Sequence, residues 1–303
     1  MSVVVQGLSK MYGMQKAVDD ITFDVSEGTI LGFLGPNGAG KSTTMKMLTG
    51  YIPPSSGTAS VQNYDIITQS IEARRQIGYL PESNPLYYDM YVKEYLNFVG
   101  RCYKMSRDIL QNRVLEMIGL TGLQSEQNKK IGQLSKGYKQ RVGLAQAMIH
   151  DPKVLILDEP TSGLDPNQLA DIRKLIKDLG KDKTIIFSTH IMQEVEAVCD
   201  RVLIISKGKI VADEGIEQLK HRSTNTSAIV VRFDKKIDIK SLESLQKVQK
   251  VVAVNGGEYK IYSTHPADTK ARLMQFALDN GVTMSSLYDD TQSMEHVFRE
   301  LTK

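Results

Sequence analysis

The stretch Gly35-Pro36-Asn37-Gly38-Ala39-Gly40-Lys41-Ser42-Thr43 matches the phosphate-binding pattern G-x-x-x-x-G-K-[ST] at every required position. A strand-like apolar run, 29–34, precedes it, and a segment with helical spacing, 44–49, follows it. Glycines at these positions let successive N–H groups point at phosphate oxygens. We therefore predict that the loop binds the phosphates, that Lys41 reaches the β- and γ-phosphates, and that the Ser42 hydroxyl ligates Mg²⁺. The alternative is a glycine-rich turn without a ligand.

The composition is that of a globular protein larger than one average domain. The chain has 303 residues, of which 41% are hydrophobic, so a main domain and a smaller one are expected. The formal charge of +3 comes without a long basic run, and nucleic acid is not an expected partner. The cysteines, Cys102 and Cys199, are far apart, which predicts a reducing compartment and no cysteine metal site.

The first residues do not predict a targeting signal. Residues 1–6 lack the charged and apolar regions of a signal peptide. The apolar runs are also far shorter than the roughly 20 residues that span a bilayer. We therefore expect a cytoplasmic chain that does not itself cross a membrane.

The spacing of apolar residues predicts an alternating α/β arrangement. Strand-like runs with turns at Gly13 and Gly28 indicate a small antiparallel sheet before the phosphate loop. The stretch between Arg74 and Leu134 is mostly helical in pattern and indicates a helical insertion. Continuous apolar runs that follow predict strands of a parallel sheet at 154–157, 184–188 and 202–205.

A second motif of the phosphate site is Val154-Leu155-Ile156-Leu157-Asp158-Glu159, an apolar strand that ends in two acids. Beside the phosphate loop, Asp158 would hold Mg²⁺ through its hydration shell. Glu159, next to the γ-phosphate, would act as general base on the attacking water. The alternative is a buried strand that ends in solvated acids, and the phosphate loop upstream favours the catalytic interpretation.

Directly upstream of that strand lies Leu134-Ser135-Lys136-Gly137-Tyr138-Lys139-Gln140-Arg141. This segment resembles the LSGGQ signature of the ATP-binding-cassette (ABC) family, Ser162-Gly163-Leu164-Asp165 resembles its D-loop, and His190 its switch histidine. The resemblance implies an α/β P-loop ABC ATPase over residues 1–220. This domain would combine a RecA-like core, an antiparallel β-subdomain and a helical subdomain inserted at about 83–150.

The resemblance also implies how ATP is bound. Ser135 can cap a helix, and with the Gly137 N–H it would face the γ-phosphate of an ATP held by a second, head-to-tail copy. A homodimer would thus bury two ATP molecules. Tyr12 would stack on adenine, His190 would help to orient the water, and Asp165 would belong to the ATP site. Without the family pattern, Tyr12 would be a core or edge tyrosine, His190 a surface histidine at a strand end, and Ser135-Lys136-Gly137 a helix cap.

Two positions depart from the family pattern. Glu82 stands where the family has its Q-loop glutamine, and a carboxylate there would either bind the metal more tightly or repel the nucleotide. We count Glu82 among the predicted ATP and metal contacts. Lys136 and Tyr138 replace a glycine and the glutamine of the signature, and Lys136 is expected to bring positive charge towards the partner's phosphates.

Four segments are similar to ABC-2 type exporters: 53–57, 78–82, 132–138 and 294–298. Within that group the sequence is most similar to gliding-motility-associated ATP-binding subunits of Bacteroidetes. This implies a Mg²⁺-dependent ATPase, peripheral on the cytoplasmic face of the inner membrane, that powers export through separate ABC-2 type transmembrane permease subunits. The sequence leaves two alternatives open: a soluble ABC ATPase acting on chromosomes or ribosomes, and a regulator that barely hydrolyses ATP.

The C-terminal part of the chain has its own pattern. A polar segment, 221–227, is predicted to be a linker. Residues 228–303 then alternate strand and helix in the order β-α-β-β-α-β, which predicts a small α+β accessory domain of ferredoxin-like type followed by a terminal helix. Its predicted first helix covers 241–248.

Overall fold

The computed structural model describes residues 1–219, 228–254, 257–263, 265–290 and 294–302. These residues belong to two compact units, one from Met1 to Ile216 and one from Glu217 to Leu301. The predicted linker, 221–227, lies outside the described residues. None of the helices in the described ranges is both long enough and apolar enough to cross a membrane.

The first unit contains two sheets, of which the smaller is antiparallel. Its strands lie in the order β2-β1-β4-β5, where these are β1 (Val3–Tyr12), β2 (Gln15–Val25), β4 (Ser56–Val61) and β5 (Tyr64–Asp65). In β1 the alternate residues Val3 and Val5 are fully buried, because successive side chains of a strand point to opposite faces. The predicted antiparallel β-subdomain is confirmed.

The larger sheet carries the phosphate loop. Its strands are β3 (Ile30–Leu34), β6 (Ile77–Leu80), β7 (Val154–Asp158), β8 (Thr184–Thr189), β9 (Arg201–Ser206) and β10 (Lys209–Gly215). They lie in the order β10-β9-β3-β8-β7-β6, and all neighbouring pairs are parallel except β9 with β10. The carboxyl ends of β3, β8 and β7 therefore meet at one edge of the sheet, which is where the phosphate loop begins.

Helices of the first unit fall into two groups. Four follow or precede strands of the sheets: α1 (Lys41–Leu48), α2 (Ser70–Arg75), α6 (Pro166–Leu179) and α7 (Met192–Val198). Three others contact one another between β6 and β7: α3 (Val92–Cys102), α4 (Arg107–Leu120) and α5 (Lys136–Met148). A short 3₁₀ turn, Ile131–Gln133, precedes α5. The second group is the inserted helical subdomain that the sequence predicted.

The second unit is a small α+β arrangement, as predicted. It consists of β11 (Ala228–Phe233), α8 (Ile239–Glu243), β12 (Val248–Ala253), β13 (Glu258–Ser263), α9 (Pro266–Asp279), β14 (Met284–Asp290) and α10 (Met294–Leu301). The strand order is β12-β13-β11-β14, and all neighbours are antiparallel. Its core includes Val231, Phe233, Ile261 and Leu273.

The predicted helix at 241–248 is wrong in its bounds. The helix starts two residues earlier, because the side chain of Asp238 accepts a hydrogen bond from the Lys240 N–H and caps the first turn. It ends at Glu243, and Val248 already belongs to β12. Lys247 has a φ of +71°, a value that no helix can contain. The chain therefore turns directly from this short helix into the sheet.

Candidate functional site

The phosphate loop connects β3 to α1, and its close surroundings require glycine. Gly40 has a φ of +111°, and a Cβ there would lie 2.6 Å from the carbonyl oxygen of Ala17. At Gly35 a Cβ would overlap the carbonyl oxygen of Ile205. The loop thus passes closer to the neighbouring backbone than any other residue type allows.

The first turn of α1 is suited to an anion. Its N-cap, Gly40, has no side chain to accept hydrogen bonds from the first amides, and the first turn contains no acidic residue. The partial positive charge at this helix end is therefore not neutralised by the helix itself. A phosphate group is the type of ligand that such an end binds well.

Lys41 joins the phosphate loop to the acidic strand end. Its Nζ donates to the carbonyl oxygens of Gly35 at 2.8 Å and Pro36 at 3.3 Å. It also lies 3.4 Å from Glu159 Oε1, and the two side chains are only 5% and 7% exposed. At that burial the charges are weakly screened, so the pair strongly constrains both side chains.

The Asp158 carboxylate accepts hydrogen bonds from hydroxyl groups on two different elements. Its Oδ1 accepts from Ser42 Oγ on α1 at 3.1 Å and from Ser188 Oγ on β8 at 2.5 Å. The residue is almost fully buried at the end of β7. Its carboxylate is therefore held between the phosphate loop and the adjacent strand.

Glu159 and His190 form the second pair at the sheet edge. The Nδ1 of His190 lies 3.0 Å from Glu159 Oε2 and 3.1 Å from Oε1, while the imidazole is 45% exposed. Glu159 adopts a φ of +49°, which is uncommon for a residue with a side chain and directs the carboxylate away from the strand path. An acid contacted by a histidine in this way can accept a proton and be reoriented by the imidazole.

Hydrogen bonds of the neighbouring Thr189 side chain stabilise the turn that carries His190. Thr189 Oγ1 donates to Glu194 Oε2 at 2.6 Å and accepts from the Ile191 N–H at 3.1 Å. Both Thr189 and Glu194 are buried. Because these bonds close the turn on either side of His190, the imidazole is presented to Glu159 from a defined backbone position.

A cavity of about 400 Å³ brings many of the predicted site residues together. Its lining includes Asn37, Gly38, Gly40, Lys41, Ser42, Thr43, Glu82, Glu159 and His190. A neighbouring cavity of about 530 Å³ is lined by Ser42, Glu82 and Asp158 among others. The remaining loop residues, Gly35, Pro36 and Ala39, are not part of either lining. Glu82 is exposed and borders both cavities, next to the predicted metal ligands.

The other predicted ATP residues are not part of that lining. Tyr12 lies at the end of β1 with half of its surface exposed. Ser135 is the N-cap of α5, where its Oγ accepts from the Tyr138 N–H at 3.4 Å. Asp165 is the N-cap of α6 and accepts from two backbone amides of that helix. In the described chain, the signature residues are therefore separate from the phosphate loop.

The signature loop instead contacts the segment that follows Glu159. The amine end of Lys136 lies over Gly163, which has a φ of +68°. The side chain of Gln168 covers Gly137, which is buried for that reason. The charge of Lys136 thus lies where the signature segment meets the segment 162–165. The Gln168 side chain therefore occupies the space in which any side chain at position 137 would lie.

Burial also affects the phenol of Tyr79, which lines the larger cavity beside Asp158. Burial raises the pKa of Tyr79 above its usual value, and the negative charge of Asp158 raises it further. The Tyr79 hydroxyl is buried and has no hydrogen-bond partner within the described residues. It therefore stays protonated near neutral pH and offers one donor towards this side of the site.

The donor set at the sheet edge fits Mg²⁺. The described residues contain no cluster of three His, Cys, Asp or Glu side chains that could hold a metal alone. Mg²⁺ is typically bound through one or two protein oxygens together with substrate phosphates and water. The hydroxyl of Ser42 and the carboxylate of Asp158, adjacent to an anion-binding loop, offer that combination.

Three residues that support the site, Ser188, Thr189 and Glu194, were not among the predicted site residues. The two hydroxyl residues could have been noticed, because they end a strand next to the acidic strand and directly precede His190. Glu194 carried no comparable signal, because its partner is known only once the turn has formed.

Comparison with known proteins agrees with this geometry. Residues 18–162 match the family described as ABC transporter. The bacitracin transport ATP-binding protein BcrA of Bacillus licheniformis is 34% identical, with 97% of this chain and 95% of that protein covered. The linearmycin resistance ATP-binding protein LnrL of Bacillus subtilis is 32% identical, with 98% and 97% covered.

Solved structures give the same result. A structure titled as the ATP-binding subunit of an ABC transporter matches with a TM-score of 0.67 and 30% identity, and the match covers 73% of this chain and 93% of that one. The ATP-binding cassette MJ0796, solved as a dimer in a post-hydrolysis state with ADP and Pi, matches with a TM-score of 0.65 and 26% identity, over 71% and 98% of the two chains.

Proposed function

Because this chain belongs to the ABC transporter family and is an ATP-binding, ATP-hydrolysing transporter subunit, we propose that two identical copies close head to tail around two ATP molecules. In this proposal the phosphate loop of one copy holds the triphosphate, and Ser135 and Gly137 of the other copy contact the γ-phosphate. Closure and reopening would then drive export through separate membrane-spanning subunits. The separation of the signature residues from the phosphate-loop cavity supports a second copy as their source.

The residues of one copy have distinct roles in this proposal. Lys41 contacts the β- and γ-phosphates, and Ser42 and Asp158 hold Mg²⁺, with Glu82 at the edge of the same site. When bound, the metal neutralises phosphate charge. Glu159 takes the proton of the attacking water, and His190 orients the Glu159 carboxylate and the γ-phosphate. The contact of Glu159 with both Lys41 and His190 is the observation that carries this assignment.

The family also supports a proposal for the surroundings of the subunit. We assign ABC-2 type permease subunits as its membrane partners and the cytoplasmic face of the inner membrane as its location. Relatives whose names refer to bacitracin transport and Nod factor export support an exporter. The finer similarity to gliding-motility-associated subunits rests on the motif segments alone. Co-purification with a polytopic membrane protein would support the exporter, whereas binding to DNA or ribosomes alone would favour the non-transport alternative.

Glu159→Gln tests the general base. The change keeps the shape of the side chain but removes the proton acceptor, so we expect ATP binding and dimerisation to persist while turnover falls by about 100-fold or more. ATP binding, dimer formation by light scattering and phosphate release would be measured on the same samples. Glu72→Gln, an exposed change on α2, is the control and should match the unsubstituted protein. Wild-type turnover of Glu159→Gln would contradict the assignment.

A further inference from the structure

The end of β8 lies directly beside the acidic end of β7. In the parallel register, Ser188 on β8 is opposite Asp158 on β7. Ser188 is fully buried and does not belong to the lining of either cavity at the site. It can therefore act on a bound nucleotide only through the residues that it contacts.

Both hydrogen-bonding functions of the Ser188 hydroxyl are used at this site. It donates to Asp158 Oδ1 at 2.5 Å and accepts from the Glu159 N–H at 3.1 Å. The Ser188 carbonyl oxygen accepts from that same N–H, also at 3.1 Å. One residue thus fixes the carboxylate of the first acid and the backbone of the second.

The bonds of Ser188 support the backbone conformation of Glu159 and the orientation of the Asp158 carboxylate. Glu159 has a left-handed φ of +49°, which needs support from its surroundings in a residue with a side chain. The Asp158 carboxylate is shared between Ser188 and Ser42. Ser42 belongs to the phosphate loop, whereas Ser188 belongs to the sheet. The hydrogen bond from Ser188 therefore attaches the Asp158 carboxylate to the neighbouring strand.

We propose that Ser188 is a positioning residue that orients Asp158 towards the metal and sets the backbone of Glu159 for proton transfer. The proposal rests on the roles assigned above to Asp158 and Glu159. A hydroxyl behind a metal-binding carboxylate is expected to tune metal affinity, and loss of such a partner typically costs about 10-fold to 100-fold in affinity or activity.

The sharpest test compares Ser188→Thr with Ser188→Val, because these variants have nearly the same shape and differ in the hydroxyl. Binding of a fluorescent ATP analogue would be titrated with Mg²⁺ in the Glu159→Gln background, where hydrolysis does not interfere. We expect Ser188→Val to raise the Mg²⁺ concentration for half-saturation by about 10-fold relative to Ser188→Thr. Binding of the analogue without metal should be the same in both variants.

Turnover provides the second readout, in the background that retains Glu159. At saturating ATP and Mg²⁺, Ser188→Val should turn over about 10-fold more slowly than Ser188→Thr, because the backbone of Glu159 loses an acceptor. Thr184→Val is the matched control: Thr184 is a buried hydroxyl residue on the same strand, and it accepts a hydrogen bond from the Gly28 N–H at 3.2 Å. It should change thermal stability without changing the Mg²⁺ dependence.

Equal Mg²⁺ half-saturation in Ser188→Thr and Ser188→Val would overturn the proposal, as would a shift that Thr184→Val reproduces. The general-base assignment is judged separately, by turnover of Glu159→Gln alone. If Ser188→Val does not fold, Ser188→Ala replaces it in the same comparison with Ser188→Thr.

Discussion

In the phosphate-loop region, Lys41 and Glu159 form a buried ion pair and the buried Asp158 accepts from Ser42. In the signature region, by contrast, Ser135 and Lys136 are exposed. The first region connects two strand ends and a helix through ion pairs and short hydrogen bonds. The second offers a helix cap and a lysine that lies over a neighbouring loop. This difference is the one that the proposed dimer requires, in which one half of the ATP site is assembled within a chain and the other half is presented to a partner.

This contrast has an energetic basis. Buried charges must be paired, so Lys41 and Glu159 hold each other in place once the sheet has formed. An exposed capping serine has water as an alternative partner, and it can exchange water for an anion at low cost. In the proposed dimer, the signature region would therefore bind and release a phosphate as two copies close and open, while the phosphate-loop region keeps its arrangement.

Lys41→Met gives the largest expected effect. It removes the ammonium group from the buried network but keeps most of the apolar stem, so among the described residues the Glu159 carboxylate keeps only its contact with the His190 imidazole. We expect loss of detectable ATP binding and a fall in turnover of at least about 100-fold, because a charge contact to the phosphates is lost. Binding would be measured calorimetrically, with the exposed Lys153→Met as control. Retained ATP affinity would mean that the phosphate-loop region does not depend on this network.

Mixing two inactive variants tests whether the two regions act across a dimer. Lys41→Met damages the phosphate loop, and Gly137→Asp places a negative charge in the first turn of α5, where it suits the helix dipole but repels phosphate. Each heterodimer would contain one intact composite site. An equal mixture should therefore recover about a quarter of wild-type turnover if the dimer is symmetric and its sites are independent.

The same mixture can also contradict the proposal that the two regions form one ATP site across a dimer. If the mixture stays as inactive as either variant while light scattering shows that heterodimers form, the site is not shared between copies. Lys41→Met alone, at the same total protein concentration, is the reference for zero recovery.

A smaller effect, on the stability of the fold, is expected from a change of pH. It arises at His150, beyond the C-terminal end of the signature helix α5. His150 follows α5, and its Nε2 lies 3.1 Å from the Ile77 carbonyl oxygen while its ring stacks on Tyr103. Burial lowers the pKa of His150 to about 4, below the value of about 6.5 for an unfolded chain. The unfolded state therefore binds more protons in this window, and stability should fall as the pH drops from about 6.5 to about 4.

Comparison with His150→Gln isolates this contribution, because glutamine can donate to the same carbonyl but does not titrate. Chemical unfolding at several pH values should show a steeper acid-induced loss of stability for the histidine protein than for the variant. Identical slopes would show that the attachment of the signature helix to the sheet does not depend on a neutral His150.

Local patterns allowed much of this molecule to be predicted. The phosphate loop, the acidic end of β7 and the capping serine of the signature are contiguous motifs, and each requires a particular residue type for a reason that acts within a few residues. The fold class follows from these motifs and from the periodicity of apolar residues. The misplaced bounds of the helix at 241–248 show the limit, because the helix begins after its cap Asp238, ends at Glu243, and is followed by a left-handed residue, Lys247, just before β12.

By itself, the sequence determined that this chain is an ABC ATPase with a phosphate loop, two strand-end acids and a signature helix. Only the tertiary structure decided that Ser188 bonds to Asp158, that Lys136 lies over Gly163, and that the unpredicted β10 pairs antiparallel with β9. The physical reason is the separation along the chain of the residues that interact. Motif residues are constrained by their immediate neighbours, whereas these contacts join segments that meet only after the sheet has set the order and register of its strands.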